Sequence, residues 1–102
     1  SRGGVKTRRA RYTPEAAERI RKLHPLVKKE VREGIRVLLD NPLLGYALHD
    51  ELAGYWSFRV RTYRVIFRPN DDESTLDVVF VGPRRSVYEE LRTLLLEQRH
   101  KN

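Results

Sequence analysis

Apolar positions recur at helical spacing between Pro14 and Leu39, whereas from Trp56 to Val81 they alternate with polar ones. The change of period predicts helices followed by strands. In the first block Ala16, Ala17, Ile20 and Leu23 make one stripe. Thr13 precedes it as an N-cap, and Pro14 takes the first helical position, where its missing N–H costs nothing. His24-Pro25 breaks the run, because a residue before proline is pushed out of the α region. Val27, Val31, Ile35, Leu38 and Leu39 then predict a second helix from about Leu26 to Leu39, antiparallel to the first. The stretch "DNPLLG" ends it, and 42–53 reads as a loop long enough to be functional.

The stretch "WSFRVRTYRVIFR" sets Trp56, Phe58 and Val60 in alternation with Ser57, Arg59 and Arg61, and Tyr63, Val65 and Phe67 in alternation with Arg64, Ile66 and Arg68. Two half-buried strands turning at Arg61-Thr62 bring Val60 opposite Tyr63, Phe58 opposite Val65 and Trp56 opposite Phe67. The same register faces Arg59 with Arg64. Arg-Thr is a poor turn pair, since two-residue hairpins favour Asn or Gly with positive φ. "TLDVVFVG", from Thr75 to Gly82, supplies a third strand of the meander. Ser86 and Glu89 form a capping-box pattern ahead of a last helix carrying Val87, Leu91, Leu94 and Leu95. A short exposed strand is read over Val5 to Tyr12. Ser1 to Gly4, without a Met, read as an appended or trimmed start with no structural role. The expectation is one α+β domain over residues 1–102: a helical hairpin packed on a small twisted antiparallel sheet, with a C-terminal helix.

Composition narrows the partners. The 102 residues fit one domain. With 21 Lys+Arg against 14 Asp+Glu the formal charge is +7, which favours phosphate-rich partners. Arginine dominates the basic residues, and its planar fork binds phosphate through paired hydrogen bonds. The absence of cysteine excludes disulfides, thiolate zinc sites and thiol catalysis. No apolar run approaches a membrane span, so no membrane partner is expected and a cytoplasmic location is. His24, His49 and His100 share no metal-ligand spacing, and neither metal nor cofactor is expected.

Like charges facing each other on a strand pair cost a few tenths to about 1 kcal/mol, and an anion between Arg59 and Arg64 would offset that cost. Arg84 and Arg85 stand just before a helix N-terminus, which also favours negative charge. Tyr88 lies in the first turn of that helix, within reach of a base or ribose held by the arginines. The alternatives are a solvated sheet face for Arg59 and Arg64, and a helix-packing aromatic for Tyr88. Lys28 and Lys29, with Arg32 and Arg36, form either a solvated helix face or a phosphate contact.

The stretches "LLDNP", "DELAGYWSFRVRTYRVIF" and "VVFVGPRRSVYEEL", in that order, resemble the RelE/ParE superfamily of type II toxins over roughly residues 9 to 95. RelE-like members cleave messenger RNA in the 30S ribosomal A site, and ParE-like members poison DNA gyrase on the same scaffold. The resemblance places Arg59, Arg64, Arg84 and Tyr88 at catalytic positions and implies metal-independent attack of a ribose 2′-hydroxyl on the adjacent phosphate. In that chemistry the arginines stabilise the dianionic transition state, and Tyr88, its pKa lowered by neighbouring positive charge, transfers a proton. It also implies a cognate antitoxin protein as partner. ParE-like chains commonly lack the full set, which tilts the reading towards RNA cleavage; a gyrase inhibitor or a weakened binding relic are the alternatives. Ser57 stands where the family has a basic residue, Arg61-Thr62 where it has Gly-Asp, and Pro83 where it has histidine. Ser57, Arg61, Arg85, Lys28 and Lys29 are the further candidate nucleic-acid contacts, with the lysines placed to supply the missing charge.

Overall fold

A computed structural model describes residues 8–100. Strand β1 (Arg9–Tyr12) leads into helix α1 (Pro14–Arg21) and helix α2 (Pro25–Asp40). The two-residue strand β2 (Tyr46–Ala47) follows, then β3 (Trp56–Val60), β4 (Tyr63–Asn70), β5 (Thr75–Pro83) and helix α3 (Val87–His100). Residues 5–7 of the expected first strand, and the opening four, lie outside the described residues.

Local chemistry explains the helix starts. The Thr13 hydroxyl accepts from the Ala16 amide at 3.2 Å and donates to the Val79 carbonyl at 3.1 Å, so one side chain caps α1 and ties it to β5. His24 Nδ1 accepts from the Leu26 amide at 3.2 Å, and Pro25 fills the first position of α2. Asn41 then caps a 3-10 turn over Pro42–Leu44 through the Leu43 amide. The start of α3 falls where the Ser86 pattern put it, but among the described residues no side-chain bond closes the capping box. Entry is through a turn in which the Ser86 amide donates to the Pro83 carbonyl at 3.1 Å.

The sheet order is β1-β5-β4-β3-β2. Neighbours are antiparallel except β1, which runs parallel to β5 with Arg9 beside Thr75 and Tyr12 beside Val78. The sheet is therefore mixed rather than wholly antiparallel. Alternation assigns faces but carries no strand direction, and the helical hairpin after β1 begins the long crossover that parallel pairing requires. Arg11 on β1 binds Asp77 on β5 through two hydrogen bonds of 3.0 Å. Partial burial opposes the Asp77 charge, yet the bonds from Arg11 and Thr75 prevail and hold its carboxyl below the usual range.

Both faces of the sheet centre are covered. Ala16, Ile20, Val31, Ile35 and Leu38 of the first two helices pack on Val65, Phe67, Leu76, Val78 and Val81. Val87 and Leu91 of α3, with Leu52, pack on Ile66 and Phe80 from the other side. This explains why Val65, Ile66 and Phe67 are all fully buried in succession, although alternation alone predicts a solvent face for Ile66. A register shift between Ile66 and Phe67 bends the β4–β5 pair at that point. The 42–53 segment, expected as a loop, contains two 3-10 turns and the edge strand β2, which pairs Tyr46 with Ser57 and Ala47 with Trp56.

Candidate active site

The hairpin has the register that alternation implies. Trp56 pairs with Phe67, Phe58 with Val65, Val60 with Tyr63, and Arg59 with Arg64. Arg61 at the turn adopts φ 55°, a left-handed conformation disfavoured for a side-chain-bearing residue. Its guanidinium binds Glu30 of α2 at 2.5 Å, and its carbonyl accepts from Arg59 Nε at 3.0 Å.

Arg64 sits next to Gly82 on β5. A side chain at Gly82 would come within 3.1 Å of Glu90 and 3.3 Å of Val87, so glycine lets α3 lie close to the strand. The next residue but one, Arg84, donates its amide to the Thr62 carbonyl at 2.7 Å. That bond fastens the end of β5 to the hairpin turn and brings Arg84 and Arg85, both exposed, to the same end of the sheet as Arg59.

The α3 face of the sheet then supplies a chain of hydroxyls. Ser57 is fully buried and accepts a hydrogen bond from the Tyr88 hydroxyl at 3.1 Å. The Tyr46 and Tyr88 hydroxyls lie 3.3 Å apart. Above them the Arg64 guanidinium lies 5.4 Å from the centre of the Tyr46 ring, a cation–π contact. Its Nη1 is buried without a hydrogen-bond partner. Among the described residues no carboxylate pairs with Arg59, Arg64, Arg84 or Arg85. A positively charged donor buried without an acceptor costs free energy, so Arg64 is held in a state that a bound oxyanion would improve.

Tyr88 has its pKa raised above the usual 10.0, the opposite of the sequence expectation. Burial is the largest cause; the Ser57 bond and the Arg64 charge pull it down, and the neighbouring Tyr46 hydroxyl pushes it up. Near neutral pH Tyr88 therefore carries its proton, which suits a donor rather than a base.

Other expected contacts separate from this cluster. Arg61 is engaged by Glu30 on the α2 side. Lys28 and Lys29 lie on α2, whose buried residues pack on the sheet face opposite α3. Both therefore lie on the other side of the sheet from the α3-facing residue 57. Ser57 is buried in the free protein, with its hydroxyl bonded to Tyr88. Tyr46 was missed from the sequence because a two-residue strand in a loop has no periodicity. A cleft of about 720 Å³ lies elsewhere, between α1 and α3, lined by Glu15, Glu18, Glu89, Glu90 and Glu97 with Arg19. Among the described residues no group of His, Asp and Glu is placed to hold a metal, and no helix is long and apolar enough to cross a membrane.

The family model for the ParE toxin of type II toxin–antitoxin systems matches residues 10–88, most of the chain. The chain belongs to this toxin family. The toxin is 35% identical over 80 residues to Toxin RelG of Mycobacterium tuberculosis (strain ATCC 25618 / H37Rv), a match covering 76% of this chain and 92% of the relative. The solved toxin–antitoxin complex RelBE2 of the same species contains a chain that superposes with a TM-score of 0.74 at 32% identity, over 79% of this toxin and 95% of that chain. A variant of the E. coli toxin RelE in the free state shares the fold, with a TM-score of 0.73 over 91% of this toxin and 98% of that chain, at 16% identity.

Gly45 positions the Tyr46 strand. A side chain there would meet the Phe67 ring at 2.8 and 2.9 Å and the Ser57 carbonyl at 3.0 Å. Gly45→Ala is expected to destabilise the fold by about 1–3 kcal/mol and to displace Tyr46. Denaturant titration measures the first effect, and loss of the Tyr46–Tyr88 contact in a crystal structure the second. An unchanged midpoint would show that β2 has slack.

Proposed function

We propose that this toxin is a metal-independent endoribonuclease that cuts messenger RNA in the ribosomal A site and so stops translation. The observation that carries the reading is Arg64: a charged donor without a carboxylate, opposite Arg59 and beside a protonated Tyr88. Attack of the ribose 2′-oxygen on the adjacent phosphorus builds up charge on the non-bridging oxygens. Arg59, Arg64 and Arg84 hold that charge and keep the backbone in line. As the bond from phosphorus to the 5′-oxygen breaks, Tyr88 gives its proton to the departing oxygen, while the 2′-hydroxyl proton passes to water. The products are a 2′,3′-cyclic phosphate and a free 5′-hydroxyl. Arg85 adds a backbone contact beyond the scissile phosphate.

The exposed arginines also support ribosome dependence, because an open surface leaves the placing of the substrate to the ribosome. Its cognate antitoxin covers this basic face, by analogy with the relative solved as a toxin–antitoxin complex.

A second reading, inhibition of DNA gyrase, is favoured by the match to the ParE family model. Mapping transcript 5′ ends after brief induction in a bacterial host separates the two. New ends within translated codons, with intact DNA, are the expected result. Intact transcripts accompanied by DNA breaks would replace nuclease with gyrase inhibitor.

A further inference from the structure

We propose that Tyr46 is a positioning residue of this site, its ring steadying the Arg64 guanidinium and its hydroxyl steadying Tyr88. The inference rests on the reading of Arg64 as phosphate holder and Tyr88 as proton donor. Three contacts converge on this side chain. Its ring lies under the Arg64 guanidinium, at 5.4 Å from centroid to the central carbon. Its hydroxyl is 3.3 Å from that of Tyr88. Its backbone pairs with Ser57, the residue whose hydroxyl accepts from Tyr88.

Tyr46 thus links the two groups that have to act on the same phosphodiester. Arg64 has a buried Nη1 without an acceptor, and the aromatic face of Tyr46 is a contact that orients its planar group. Tyr88 has a hydroxyl between two others. Ser57 below fixes its depth, and Tyr46 fixes its direction across the sheet. Tyr46 itself is 50% exposed at the sheet edge, where a side chain of this size gains little from burial. Packing alone gives no reason for the hydroxyl, since phenylalanine would cover the same surface.

The ring and the hydroxyl have separable tasks, and two substitutions divide them. Tyr46→Phe keeps the ring and removes the hydroxyl; Tyr46→Leu removes both. At a half-exposed edge position both variants are expected to fold, as circular dichroism will verify. Cleavage of ribosome-bound messenger RNA should show Tyr46→Phe slowed about fivefold at saturation, as for loss of one hydrogen bond, with apparent affinity unchanged. Tyr46→Leu should show the same slowing and a further loss of about threefold in affinity, from loss of the cation–π contact. Titration of 13Cζ-labelled tyrosine by NMR reads the hydroxyl contact directly: the Tyr88 ionisation should shift between the parent and Tyr46→Phe, because the neighbouring hydroxyl 3.3 Å away is gone.

An unmoved Tyr88 titration in Tyr46→Phe overturns the hydroxyl's role, and identical kinetics for the two variants overturn the ring's. If the parent chain leaves RNA intact, the nuclease reading fails by itself. The Tyr88 titration, and the exchange rate of the Arg64 guanidinium protons in Tyr46→Leu against Tyr46→Phe, still decide whether Tyr46 positions these groups.

Discussion

Arg64→Met will abolish translation arrest and at the same time make the toxin more stable. Methionine roughly matches the aliphatic stem of arginine and leaves no donor unsatisfied. The substitution removes a buried N–H without an acceptor and a like charge opposite Arg59, and it forfeits the contact with the Tyr46 ring. An unsatisfied buried donor costs about 1–3 kcal/mol and the facing charges a few tenths to about 1 kcal/mol, against about 0.5–1 kcal/mol for the cation–π contact. The balance favours methionine by about 0.3–3.5 kcal/mol. Removing one group that stabilises transition-state charge lowers the cleavage rate by about 10²–10³-fold. Thermal melting and a single-turnover cleavage assay measure the two effects on one preparation. A variant that is stable and still toxic would remove Arg64 from the site; one that melts early would show that the arginine is at ease in the free protein.

Tyr88→Phe is expected to lower cleavage by about 10²–10⁴-fold, the range for loss of a positioned proton donor. The fold loses about 1 kcal/mol, because the buried Ser57 hydroxyl is left without its partner. The dependence on pH follows from the raised pKa of Tyr88. Below that pKa the donor is loaded, so the parent's rate should be level through neutral pH and fall in the alkaline range as the phenol ionises. Tyr88→Phe should lack that fall. The same group affects stability with the same sign: its contribution is complete below the ordinary tyrosine value and is lost as pH rises through the higher folded one. A parent rate that climbs with pH towards the tyrosine range would make Tyr88 a base and reverse the assignment.

Much of this geometry was legible in the sequence, and the exceptions have physical causes. The Arg59–Arg64 register followed from side-chain alternation across a short turn, since a slip of one residue would turn Trp56, Phe58 and Phe67 towards solvent. The boundaries of α1 and α2 followed from Thr13, Pro14 and Pro25. The direction of β1 was hidden because period-two patterning is the same in parallel and antiparallel pairs. Ile66 looked solvent-facing because alternation assumes one covered face, whereas α3 covers the other. Arg61 looked free because its partner Glu30 lies 31 residues earlier. Tyr46 went unseen because its partner lies 42 residues further on. The direction of the Tyr88 shift depends on burial, which only the packing of α3 reveals; charge counting along the chain pointed the other way.

The parallel union of β1 with β5 also bears on how the molecule comes into being. Arg11 and Asp77 are 66 positions apart, so this pairing has high contact order and is slow to form, while the β3–β4 hairpin closes locally. The arginine pair thus belongs to a hairpin that closes locally, whereas Tyr88 joins it only once α3 docks. On the proposed mechanism a nascent chain paused before β5 would be basic and incapable of cutting, and the activity would be born only as the last elements leave the ribosome.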